Sequence, residues 1–160
     1  MDPDALQDTV DHVAISRLHA SYADIVSRRA WAELEELFLP DAPVRVDPVT
    51  RAPIDLVGPQ ALGEFIGGAI ESFEFFQFVV LNARIELRVG GDDDVASARM
   101  YMNELRQGAA SGHWTMVYGV YHDRYRRVDG RWWFAERHYQ SLARTGRGDV
   151  FAFPHHERLD

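Results

Sequence analysis

The densest set of chemistry-bearing side chains lies in residues 117–139, VYGVYHDRYRRVDGRWWFAERHY, where tyrosines, histidines, carboxylates and arginines flank a short Asp-Gly turn. A neutral imidazole is the natural proton carrier near pH 7, and this chain has no lysine or cysteine to take its place. His122 is therefore one candidate base, the adjacent Asp123 a second, and His113, just past a Ser-Gly turn, a third. Consecutive strand residues leave opposite faces, so His122 and Asp123 cannot both point into one cavity. Asp123 shares a face with Tyr121 and Tyr125, whereas His122 shares one with Tyr118, Val120 and Arg124. Which face is concave stays open at this level, and either residue could simply support the sheet.

Arginine suits the stabilisation of an enolate or a carboxylate because its planar fork stays charged and offers five donors. Arg137 could do this, or it could pair with a buried acid such as Glu136 or Asp24. Arg99, Tyr101 and Asn103 share one parity, with Met100 and Met102 on the other, so one of the two sets would line a pocket. His19 precedes Tyr22 by three residues and shares part of a helix face with it. Phe73, Phe75, Phe76, Phe78, Trp114, Trp132, Trp133 and Phe134 supply aromatic surface, most of it core filler, with some left to favour a flat apolar ligand.

All seventeen basic residues are arginine. The missing lysine and cysteine exclude a lysine Schiff base, a thiol nucleophile, disulfides and cysteine-ligated metals. A formal charge of −8 argues against general nucleic-acid binding, which needs concentrated positive surface. No HExxH pattern, glycine-rich phosphate loop or dinucleotide fingerprint occurs, and His155, His156 and Glu157 sit in a tail where an incidental surface pair is the simpler reading. No metal and no cofactor is expected. No run reaches the roughly 18 apolar residues of a membrane span, and the acidic start lacks a secretory pattern, which together lead to the expectation of a cytoplasmic protein.

The elements that would position these residues form two groups. Residues 9–28 carry Val10, Val13, Leu18, Tyr22 and Ile25 at helical spacing; a second helix is expected in AWAELEELF and a third from Pro59 through ALGEFIGGAIESF, where Gly67 and Gly68 would permit close packing. Residues 44–50 read as a short strand and 51–60 as a loop. Beyond residue 76 the period falls to about 2, giving strands over 78–89, 94–105, 113–128 and 131–142, separated by hairpin turns. The expected architecture is α+β: three helices packed on a strongly curved, largely antiparallel sheet. Residues 1–160 form one domain in this reading, with 1–8 and 146–160 as tails in which Phe151 and Phe153 could cover a pocket.

Several segments carry a resemblance: Leu18 and Tyr22 on the first helix, WAELEELFLPDA (31–42), NARIEL (82–87), ARMY (98–101) and YHDRYRRVDGRWWFAER (121–137). In this order they resemble the SnoaL-like branch of the nuclear transport factor 2-like superfamily, which includes scytalone dehydratase, bile-acid 7α-dehydratase, ketosteroid isomerases and polyketide cyclases. The resemblance implies a cone-shaped pocket for a small hydrophobic cyclic molecule, homodimers or homotrimers, and cofactor-free lyase or isomerase chemistry by proton transfer. It also implies that Tyr22 and Asn82 bind a substrate oxygen and that Arg137 matches a pocket arginine; Tyr22 is thereby a further catalytic candidate, and Tyr121, Arg99 and Asn103 are substrate-binding candidates from their strand positions. Dehydratase members use a strand histidine oriented by a helix aspartate; the matching positions here are Phe78 or Val79 and Ser27. A non-catalytic ligand-binding or assembly protein is the alternative, and the small subunit of a ring-hydroxylating oxygenase is a third.

Overall fold

The sequence alternates helix-compatible and strand-compatible stretches, and the computed structural model, which describes residues 3–145 and 150–152, resolves them into one helix pair against one sheet. The first helix, α1, spans Pro3–Arg28. Its inward stripe is Asp11, Ile15, Leu18, Tyr22, Ile25 and Val26, spaced three or four apart as one helix face requires. Val10 and Val13, expected to face inward, are exposed; Asp11 takes the buried position instead because Trp132 Nε1 (2.9 Å) and Arg127 (2.8 Å) donate to its carboxylate. Residues 3–8, expected as part of a tail, belong to this helix.

The expected second α-helix is a six-residue 3-10 helix, Trp31–Glu36. It stops there because the next residues pair with the sheet: Leu39 N–H donates to the Phe134 carbonyl (2.9 Å), and Phe134 N–H donates to that of Leu37 (2.9 Å). The chain then forms β1 (Pro43–Asp47), β2 (Ile54–Val57) inside the stretch expected to be a loop, and α2 (Gly58–Ile70). Gly67 does allow close packing, since a methyl there would lie 3.2 Å from Trp31 Nε1; Gly68 has nothing within 4 Å.

Four long strands follow: β3 (Phe73–Leu87), β4 (Val95–Gly108), β5 (Trp114–Val128) and β6 (Arg131–Thr145), with a short β7 (Val150–Ala152). The sheet order is β2-β1-β6-β5-β4-β3, β7 pairs with β6, and every pairing is antiparallel except β1 with β6. Bulges interrupt the long ladders at Leu81 on β3 and at Ala135 on β6, bending the sheet and switching the side-chain parity beyond them. The inner face packs on α1 around Phe38 and Phe134, whose rings stack at 4.6 Å, with Met100, Met102 and Tyr125. Side chains of Phe151 and Phe153, and residues 155–157, lie outside the described residues.

Candidate functional site

The bulge at Ala135 turns Arg137 inward, directly across the strand pair from Asp123. Arg137 Nε donates to Asp123 Oδ1 and Nη2 to Oδ2, both at 2.8 Å, and both side chains are fully buried. This bidentate geometry is the strong form of the pair. Neither Glu136 nor Asp24 takes the role foreseen for a buried partner: Glu136 leaves the opposite face and Asp24 pairs with Arg28. Burial works against the Arg137 charge, yet attraction and hydrogen bonds from Asp123 hold its pKa above the ordinary arginine value.

Aromatic faces enclose the guanidinium. Its Cζ lies 4.1 Å from the Tyr22 ring centroid, 4.2 Å from Tyr121 and 4.3 Å from Phe134. These are desolvated cation–π contacts. Nη1 is buried without a hydrogen-bond acceptor among the described residues. Burial raises the phenol pKa values of Tyr22 and Tyr121, so both hydroxyls stay protonated.

A chain of polar groups continues behind the pair. Tyr125 donates to Asp123 Oδ2 (3.1 Å), and His19 Nε2 lies 2.5 Å from the Tyr125 oxygen. Since that phenol proton points to Asp123, His19 completes the chain as the Nε2–H tautomer. Burial lowers the His19 pKa to about 4, so the ring is neutral at pH 7. With guanidinium and phenol both donating to it, Asp123 is a charge partner rather than an open base.

Towards the other end of the inner face, β4 presents Glu104, whose carboxylate accepts from Arg106. Glu104 is the cross-strand partner of Phe78, and its charge contributes to the raised phenol pKa values of Tyr22, Tyr121 and Tyr139. Tyr139, displaced to about 12 chiefly by burial, packs 5.2 Å from Tyr121. Neither Glu104 nor Tyr139 stood out in the sequence; their only signal was the parity shared with Met100 and Met102 and with Arg137.

Of the candidate residues, Tyr22, Tyr121, Asp123 and Arg137 come together, with Phe134 against the guanidinium and His19 reaching Asp123 through Tyr125, whereas Asn82, Arg99, Asn103, His122 and His113 do not join them. The Leu81 bulge reverses parity, so Asn82 is exposed on the outer face. Arg99 and Asn103 alternate with the buried Met100 and Met102 and also face outward; Arg99 lies over Tyr101, and Asn103 Nδ2 donates to the Val117 carbonyl (3.2 Å). His122 leaves the face opposite Asp123 and, with Arg99, lines an outer depression of about 800 Å³. His113 is exposed at the start of β5. No cluster of three or more metal-ligating side chains occurs among the described residues, and no helix among them is long and apolar enough to cross a membrane.

Residues 7–138 match the SnoaL-like domain family. Among solved structures, a candidate scytalone dehydratase from Novosphingobium aromaticivorans is 22% identical over 96% of this chain and 97% of its own, with a TM-score of 0.76. The hexachlorocyclohexane dehydrochlorinase LinA-type3 from Novosphingobium barchaimii is 20% identical over 94% of this chain and 99% of its own, at 0.77. A candidate aromatic ring hydroxylase from Novosphingobium aromaticivorans is 20% identical over 91% and 94%, at 0.71. No functionally curated protein matches by sequence. At these identities the solved structures share the fold alone, and the family match, which covers most of the length, establishes that the chain belongs to the SnoaL-like domain family.

Proposed function

We propose that the protein binds a small hydrophobic cyclic molecule bearing an oxygen substituent and acts on it as a cofactor-free lyase or isomerase by proton transfer. The observation that carries this reading is the buried Arg137 guanidinium, charge-balanced by Asp123, held between Tyr22 and Tyr121 and left with an unpartnered Nη1. Such a group is already desolvated and oriented, so developing negative charge on a substrate oxygen meets a fixed cation and phenol donors without reorganisation. Glu104 is the inner-face carboxylate assigned to take the proton, because it pairs across the strands with Phe78, one of the two positions, Phe78 or Val79, where the resemblance puts the dehydratase base. Arg106 Nε donates to it at 2.9 Å.

A second reading, ligand binding without turnover, is favoured by the replacement of that base by Phe78 and of its aspartate by Ser27. Native mass spectrometry of freshly purified protein, then chemical identification of any released molecule, supplies the substrate. Incubation with that molecule separates the readings: conversion by wild type that is abolished in Glu104→Gln with binding retained supports the enzyme, and recovery of unchanged ligand supports the binder. Conversion undiminished in both Glu104→Gln and Tyr22→Phe would overturn the assignment of roles.

A further inference from the structure

We propose that the outer face of the sheet carries a second site, separate from the inner one, for a small molecule with clustered anionic oxygens, either phosphates or carboxylates. The register of the strands creates it. Arg84 on β3 is the cross-strand partner of Arg99 on β4, Arg99 of His122 on β5, His122 of His138 on β6, and His138 of Arg45 on β1. Five adjacent strands thus place only arginine and histidine in one continuous row. Like charges directly opposite one another destabilise a sheet, so the row is at its most favourable when an anion lies along it.

The depression over this row has a volume of about 800 Å³, inside the roughly 300–1,000 Å³ range of small-molecule sites. Arg124 on the neighbouring row joins all five row residues, Arg84, Arg99, His122, His138 and Arg45, in its lining. Against the basic groups stand Glu86 and Glu136; the third bordering carboxylate, Asp123, is taken up from the inner side by Arg137. A local basic excess in a chain of net charge −8 is not a sampling of its average surface.

The existing partners are exchangeable. Arg45 meets Asp55 at 3.0 Å and Arg84 meets Glu86 at 3.2 Å, both exposed pairs of the weak kind. His138 is 9% exposed, and its Nε2 is buried with no hydrogen-bond partner among the described residues. His138 lines the depression, so a ligand bound over the row is the nearest source of the hydrogen bond that this nitrogen lacks. A second copy packed across a two-fold axis through the row would set its arginines, Arg84, Arg99 and Arg45, against their own copies, which favours a small anion as the occupant.

The test is calorimetric titration of wild-type protein with inorganic pyrophosphate and, separately, citrate, at ionic strength held constant with sodium chloride. Saturable binding at one site per chain is expected, weakened by about tenfold or more in Arg99→Gln and in Arg84→Gln through loss of a charge-assisted contact. Arg17→Gln, on the exposed side of α1, leaves it unchanged. Pyrophosphate binding with citrate silent assigns a phosphate-bearing ligand, and the reverse a polycarboxylate. Absence of saturable binding, or equal binding in all variants, overturns the site. So does a concentration-dependent oligomer in light scattering that Arg99→Gln weakens while neither anion binds. None of these readouts depends on turnover, so failure here leaves the inner-site proposal standing.

Discussion

Phe78 N–H donates to Ser27 Oγ at 3.0 Å, tying the last turn of α1 to β3. Ser27→Ala leaves that amide without its partner and should lower stability by about 1–2 kcal/mol. Urea denaturation checks this, and ligand binding by the variant should be unchanged.

Removing one member of the Arg137–Asp123 pair strands a charge in a dry site. Asp123→Ala should cost about 3–5 kcal/mol, and Arg137→Met a comparable amount, while Asp123→Leu combined with Arg137→Met should cost clearly less than the two single changes added together. A double-mutant cycle in urea measures this, and additive costs would show that the pair is not coupled. The lone Asp123 variant tests the inner site further, because an unbalanced guanidinium should bind chloride or added carboxylates.

The pH dependence follows from His19. Its folded pKa is lowered to about 4 by burial, below the unfolded value of 6.5, so the native state binds fewer protons than the unfolded state between those limits. The contribution is fully present above pH 6.5 and is lost as pH falls to about 4, amounting to about 3 kcal/mol. Comparing chemical denaturation of wild type and His19→Gln from pH 7 to pH 4 isolates it. The variant should show a correspondingly shallower loss, because glutamine does not titrate.

Much of this arrangement was legible in the sequence, and the failures have identifiable causes. The Asp129-Gly130 turn was readable because both residues take positive φ, 51° and 78°, as a two-residue hairpin of this chemistry demands. Alternation correctly separated His122 from Asp123 but could not choose the inner face; that was decided by Tyr22 on α1 and Phe134 on β6 itself closing on Arg137. Bulges were the largest source of error, since one extra residue at Leu81 sends Asn82 outward, and no local pattern marks it. The basic outer row was invisible for a related reason: its members lie far apart in sequence and meet only through register across five strands.

The last prediction concerns the space beside the inner site. Gly119 on β5 faces Tyr139, and a Cβ built there would sit 2.3 Å from Tyr139 Cε2 and 3.0 Å from Met102 Sδ. Gly119→Ala should therefore push the Tyr139 ring out of place and cost about 1–3 kcal/mol by overpacking. The phenol is the clashing group, so Tyr139→Ala in the same chain should relieve the strain: the double variant should be more stable than the sum of the single changes predicts. Thermal and urea denaturation of the four proteins measure the coupling, and ligand binding supplies an independent readout. Because Tyr139 packs on Tyr121, which in turn lies on Arg137, Gly119→Ala should weaken ligand binding by more than the exposed change Gly68→Ala, whose site has nothing within 4 Å. Equal binding in the two variants would show that Tyr139 does not shape the inner site.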